Sequence, residues 1–266
     1  NKILSLKSLI LFLSFFLVGT NIYSETTLEK IKRTGKATVG TEAAFPPFEF
    51  VEDGKIVGYG KDILDYIIAD LGVELNQLDL PWQGILPGVL AGKFDFVATS
   101  VSVRAERAKK YAFTVPIAEG TNWVMKRMGD TSIMSADDLS GKVVCTQLAS
   151  ASEKATQEWE KDLKSRGLEG FKELKLFTAH PEATLAVANG TCDAQTQPLP
   201  NLAVVAKNQK GVFELVGPIS GKAYMGWVTR PEDTDLRDYL SSKILEMRDK
   251  GTVSYTHLTL PTNREV

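Results

Sequence analysis

The apolar positions along the chain switch between two periods. Ile63, Leu64, Ile67, Ile68 and Leu71 fall on one stripe, which predicts an amphipathic helix over residues 62–71. The segment after it, 73–80, alternates apolar and polar and reads as a strand. Ahead of both, KATVG at 36–40 is a short strand, and Asp53-Gly54 within 51–57 signals a hairpin. Ile85, Leu86, Val89 and Leu90 predict a short helix that ends at Gly92. A strand at 94–98 and a helix at 104–111 complete a β-α-β-α series. That order predicts a mostly parallel sheet covered by helices.

The pattern then restarts. Strands are predicted at 121–126, 143–147, 174–177 and 193–197, with helices at 152–166, 182–188 and 201–207. A strand at 223–229 and a helix at 235–250 follow. Neither a sequence repeat nor a low-complexity linker separates the halves. Two α/β units joined in this way predict two lobes sharing a short hinge, and clefts between lobes are common ligand sites.

Both ends depart from this pattern. Lys2 and Lys7 precede an apolar run at 9–18 broken only by Ser14, and a more polar stretch at 19–24 follows. Residues 1–24 read as a secretory signal cleaved after Ser24. The run is about half the ~20 residues a membrane span needs. No cysteine lies near the cleavage point, so no lipid anchor is expected there. At the other end, SYTHLTLPTNREV (254–266) does not continue the preceding helical pattern. It resembles the translated adapter of a transposon-based sequencing library and is read as foreign.

Composition narrows the classes. With 43% hydrophobic and 24% charged residues the chain is an ordinary globular one, which excludes disorder and a multi-span membrane protein. A net charge of −2 leaves no basic footprint for nucleic acid. Of the two histidines, His257 falls in the foreign tail, so a His-rich metal cluster and a Ser-His-Asp triad are not expected. No G-x-G-x-x-G follows a strand and no P-loop is present, so no cofactor is expected. His180 precedes Pro181 at a helix start, where a capping or surface role is expected. Cys145 and Cys192 occupy apolar positions in the second unit and are expected to pack as free thiols.

The chemistry that is present suits a small anion. Ser100, Ser102 and Arg107 lie in ATSVSVRAER, between a predicted strand and helix. Hydroxyls, free N–H groups at a helix start and a guanidinium all favour a carboxylate. The same arginine also fits a solvated side chain paired with Glu106 or Asp95. Phe45 and Phe48 flank Pro46-Pro47, and Trp82 follows Pro81. These aromatics fit either the walls of a ligand site or a cap on the core.

The strings TEAAFPPFEF, DGKIVGYGKDIL, PWQGILPGVLAGKFDFVATSVSVRAER, YAFTVP, DLSGKVV and NGTCDA recur in a known order and spacing. From about Leu28 to Val253 the chain resembles the bacterial extracytoplasmic solute-binding proteins for polar amino acids (family 3), which serve ABC importers. The resemblance implies an α/β, two-lobed periplasmic binding protein fold of type II, each lobe a mostly parallel sheet flanked by helices, with two hinge crossings. It places lobe 1 at 25–117 and 225–253, lobe 2 at 122–221, and the hinge near 118–121 and 222–224. It implies a monomer in the periplasm of a Gram-negative cell that captures a small carboxylate-bearing solute by closure and delivers it to permease subunits, with no bond broken. Two other classes share the fold. One is a prephenate- or arogenate-type dehydratase, with Glu42 or Glu49 as its carboxylate. The other is a sensory ligand-binding module.

Carried over by position, Phe45 and Trp82 would sandwich the ligand's side chain. Ser100 would offer a carbonyl, Ser102 its N–H and hydroxyl, and Arg107 would grip the α-carboxylate. Ser150 or Ala151 would add N–H groups, Gln147 and Gln197 would face the side chain, and Glu42 would meet a polar or cationic end. Two positions depart from the family pattern. Pro198 stands where the family has the aspartate that accepts the α-ammonium, and proline has no side-chain acceptor. Either the ligand lacks a free primary α-amine, or its ammonium meets Glu42, Glu49 or Gln197. Arg104 replaces a capping threonine and is expected to be exposed and structurally neutral.

Overall fold

The computed structural model describes residues 24–251. The proposed signal up to residue 23 and the tail from Ser254 lie outside the described residues. Helix α1 (Thr27–Thr34) leads into β1 (Lys36–Thr41), and a small antiparallel sheet follows: β2 (Ala44–Phe45), β3 (Glu49–Glu52) and β4 (Lys55–Val57). Next come α2 (Tyr59–Leu71), β5 (Glu74–Asp79), α3 (Trp82–Leu90), β6 (Phe96–Ser102), α4 (Ala105–Ala108), β7 (Ala112–Phe113) and β8 (Ala118–Glu119). The second unit holds β9 (Asn122–Arg127), β10 (Val143–Gln147), α5 (Ala151–Ser165), β11 (Glu173–Phe177), α6 (His180–Ala188), β12 (Ala194–Pro198), α7 (Leu199–Asn208) and β13 (Phe213–Pro218). Strand β14 (Tyr224–Thr229) and helix α8 (Thr234–Asp249) return to the first.

Each lobe is built on one sheet. The first runs β5-β1-β6-β14-β7, with β8 also paired to β14, and the second runs β11-β10-β12-β9-β13. In the first, β1 is parallel to β5 and β6. In the second, β10 is parallel to β11 and β12. The sheets are mixed because each also takes a strand that arrives by a crossing: β14 runs antiparallel to β6, and β9 antiparallel to β12. The two crossings lie side by side, since Glu119 pairs with Tyr224 and the Gly120 N–H donates to the Ala223 carbonyl at 2.9 Å.

Burial explains the patterns. Every residue of β6 is buried, as a parallel strand with both faces covered should be. On one face Ile63, Leu64 and Ile67 of α2 pack with Trp227, Leu236 and Leu240; on the other Ile85 and Val89 of α3 pack with Phe94 and Val101. Gly40 is needed here, because a Cβ at this position would stand 2.6 Å from the Phe94 ring. The predicted hairpin forms between β3 and β4, with Asp53 and Gly54 both at positive φ, as a tight two-residue loop requires.

Four expectations change. The helix at 104–111 shrinks to the single turn α4, and the chain straightens after it so that Ala112 and Phe113 pair with β14. Ser100 and Ser102 sit on β6 itself and not in a loop, since Met225 pairs with Ser102 and extends the strand. Helix α1 and strand β13 were not foreseen; α1 carries a capping box in which Thr26 Oγ1 accepts from the Glu29 N–H at 3.2 Å. Finally, Cys145 and Cys192 are not free thiols but form a disulfide, with their Cα atoms 6.1 Å apart. Residue 145 lies on β10 and residue 192 just ahead of the neighbouring β12, so the parallel pairing brings them within bonding range.

Candidate functional site

In an open α/β sheet the strand-to-helix junctions gather at one rim. Here the rims of both lobes face each other across a small cavity. The first lobe supplies Glu42 after β1, Phe45 on β2, Trp82 at the start of α3, Thr99, Ser100 and Ser102 on β6, and Arg107 on α4. The second supplies Gln147 at the end of β10, Ser150, Ala151 and Ser152 at the start of α5, His180 at the start of α6, and Pro198 at the end of β12. Nine of the ten sequence-predicted site residues therefore share one cavity. Gln197 does not join them. It points into an adjoining cavity, and its Oε1 accepts from Gln195 Nε2 at 3.3 Å.

Arg107 is half-buried, and no carboxylate lies within ion-pair distance of it among the described residues. Its Nη1 donates to the Ser102 carbonyl at 3.2 Å, and the guanidinium lies 5.2 Å from the Trp82 ring centroid. Burial pulls its pKa down to about 10, and the nearby Arg104 adds to the effect. Opposite it, the N–H groups of Ala151 and Ser152 head a 15-residue helix and have no partner within that helix. Ser150 caps the helix by accepting from the Glu153 N–H at 3.1 Å.

Two glutamates are buried in the same lobe. Glu49 accepts from Ser100 Oγ at 3.1 Å and Thr99 Oγ1 at 3.3 Å, and burial pushes its pKa up to about 8. Glu42 lines the cavity and accepts from Gln147 Nε2 of the other lobe. Burial, with Asp79 adding to it, pushes Glu42 up to about 7. Both groups have values near 4.5 when unfolded. Between that point and about pH 8 the folded protein holds protons that the unfolded chain has released, so stability falls as pH rises through this window. The exposed ion-paired carboxylates such as Asp70 have lowered values and act below it. We expect the melting temperature to drop from about pH 6.5 to about pH 8, above the range in which the buried neutral His180 makes stability rise with pH, and Glu49→Gln to flatten that slope. Thermal melts at three pH values check this; an unchanged slope in the variant would remove Glu49 from the account.

The lobes are closed on each other. Trp82 Nε1 donates to the Ala149 carbonyl at 3.0 Å, and Gln83 Nε2 to the carbonyls of Leu148 and Thr178 at 3.3 and 3.1 Å. Asn201 Nδ2 donates to the Pro46 carbonyl at 2.6 Å. Ala149 holds a left-handed backbone, φ 60°, which is a strained conformation for a residue with a Cβ. Arg104 is neither a cap nor a free surface charge. It bridges Glu106 and, across the cleft, Glu158 of α5 at 2.9 Å. Exposed pairs of this kind contribute up to about 1 kcal/mol, so Arg104→Ala should speed ligand release by about 2- to 5-fold. The difference should vanish at high salt in stopped-flow measurements.

His180 differs most from its sequence expectation. It is 4% exposed and stacks on Phe45 of the other lobe with ring centroids 5.5 Å apart. Burial alone pushes its pKa down to about 3, so the imidazole is neutral. Its position was legible in principle, because α6 starts at the same rim as α5.

The sequence matches the family described as bacterial extracellular solute-binding proteins, family 3, over residues 37–257. A curated relative, the L-cystine-binding protein TcyJ of Escherichia coli (strain K12), is 27% identical over 231 residues, covering 86% of this chain and 84% of that protein. An ancestral arginine-binding protein bound to arginine is 31% identical with a TM-score of 0.74, covering 85% of this chain and 98% of that one. An ancestral amino acid-binding protein described as a precursor of cyclohexadienyl dehydratase is 27% identical with a TM-score of 0.76, covering 88% of this chain and 99% of the other. With that match across most of its length, on a closed two-lobed α/β fold, the chain belongs to family 3 of the bacterial extracellular solute-binding proteins.

Proposed function

We propose that this protein captures a small carboxylate-bearing solute, an amino acid or a derivative of one, by closing its lobes, and hands it to the permease of an ABC importer. It acts as a monomer in the periplasm of a Gram-negative cell. We place the first lobe at residues 25–117 and 225–253, the second at 122–221, and the hinge at 118–121 and 222–224. One observation carries the reading: a guanidinium without an anionic partner, in an inter-lobe cavity that also holds the free N–H groups of a helix start. A charge so placed is costly until an anion meets it. The anion then bonds to both lobes at once, and only such a differential contact shifts the open–closed balance.

Arg107 grips the carboxylate through two parallel bonds, the N–H groups of Ala151 and Ser152 complete the anion site from the second lobe, and Phe45 and Trp82 flank the rest of the solute. No bond is broken. A dehydratase would need a carboxylate free to move a proton in the cavity, whereas Glu49 is tied to Thr99 and Ser100 and Glu42 to Gln147. The test is calorimetric titration with the standard amino acids, their N-substituted forms and the corresponding decarboxylated amines. The acids are expected to bind at micromolar levels or tighter and the amines not to bind. An amine that binds as well as its parent acid would remove the carboxylate clamp.

A further inference from the structure

Beside the cleft lies a second cavity, open to solvent on one side. It too forms between the lobes, with α6 and α7 on one side and Ala44 and Pro46 on the other. His180 is the one residue, among those described, that lines both cavities. Its Nδ1 is buried and has no hydrogen-bond partner. Buried polar atoms are seldom left in that state, and a solute group that reaches the ring would supply the missing bond.

The walls of the second cavity define what it accepts. No acidic side chain, lysine or arginine lines it. Pro46, Leu185 and Val205 make it largely apolar, while Thr184, Gln197 and Gln209 add neutral polar groups. Leu185 stands 65% exposed at this wall, an apolar surface with nothing covering it in the closed protein. The groove is open to solvent at Leu185, so a charged group there would keep its water but find no counter-ion, whereas an apolar chain would gain by covering Leu185.

The first cavity constrains the other end of the solute. Pro198 offers no side-chain acceptor for an ammonium. Glu42 accepts from Gln147 and keeps further lone pairs for an N–H of the solute. A neutral amide needs no counter-ion, and its C=O and N–H complement the one donor and one acceptor of a neutral imidazole.

Resting on the cleft reading above, we propose that the two cavities are compartments of one site and that the solute is an N-acyl amino acid. Its carboxylate meets Arg107, its amide reaches His180, and its acyl chain occupies the second compartment.

The test uses the full exported chain and calorimetry with N-acetyl-, N-butyryl- and N-hexanoyl-L-alanine, with free L-alanine and the other standard amino acids alongside. Affinity is expected to rise by about tenfold for each two-carbon step of the acyl chain. His180→Phe keeps the stack on Phe45 but removes the hydrogen bond, and should weaken every N-acyl probe by about 5- to 30-fold. His180→Gln, which retains a donor and an acceptor, should recover part of that loss. Flat affinity along the series, or an unchanged affinity in His180→Phe, overturns the second compartment. Free amino acids that bind while all N-acyl probes fail overturn the N-acyl class and leave the cleft reading intact. Failure of every carboxylate to bind would sink the cleft reading, and this inference with it.

Discussion

Arg107→Ala is expected to weaken solute binding by roughly 10- to 150-fold, about 1.5–3 kcal/mol, the worth of a pair of charge-assisted hydrogen bonds. The argument does not rest on the residue type alone. Arginines on this protein's surface mostly have partners, as Arg166 does with Asp137 and Asp162, or Arg230 with Asp233. Arg107 has the Ser102 carbonyl and the face of Trp82 but no carboxylate within ion-pair distance among the described residues. Burial outweighs the pull of Glu106 on this charge, so removing it should leave the ligand-free protein as stable as before, or more so. What should disappear is the rise in melting temperature on adding ligand, since that rise follows ligand concentration over the dissociation constant. Arg107→Lys should fall between, because an ammonium cannot make the two parallel bonds. Calorimetry and ligand-dependent melts on the same samples separate the two effects. A variant that binds normally, or that loses its fold without ligand, would show that this guanidinium is structural.

Most of these site residues were named before any coordinates by the resemblance to the solute-binding family, and topology explains why they gather. Glu42, Trp82, Gln147, Ser150 and Ala151 all follow strands of a parallel set, and such junctions share one rim. Three features were not readable. Gln197 precedes Pro198 on the same strand, and strand alternation sends neighbours to opposite faces, so one lines each cavity. His180 looked like an exposed helix cap because its burial comes from Phe45, a residue 135 positions earlier that covers it only when the lobes meet. Arg104 looked neutral because Glu158, its partner across the cleft, lies on the other lobe. In each case the missing information was the relation between distant segments, whereas local periodicity fixed the elements themselves.

The cysteine pair shows the same limit and carries the largest expected effect on stability. Both sulfurs sit in the second lobe's core beside Met125, Val187, Leu202 and Phe213, a setting that suits a free thiol equally well. Only the register of β10 with β12 brings the pair within reach. The bond closes a loop with a sequence separation of 47. A loop of that length removes enough unfolded-state freedom to stabilise the fold by about 4 kcal/mol. The double variant Cys145→Ala, Cys192→Ala should therefore melt roughly 8–15 °C lower. The loop lies wholly within the second lobe, while the first lobe keeps its own sheet and core. The loss should fall on one lobe, so the single melting transition is expected to split, the second lobe unfolding first. Reductant should have little effect on the folded protein, because both residues are fully buried. It should reproduce the variant's melt once the chain has been unfolded and refolded with the bond open. Mass spectrometry after alkylation of the denatured, unreduced protein provides the direct check. Two alkylated cysteines would mean that the sulfurs are unpaired, and then the double variant should cost only the volume of two small buried side chains.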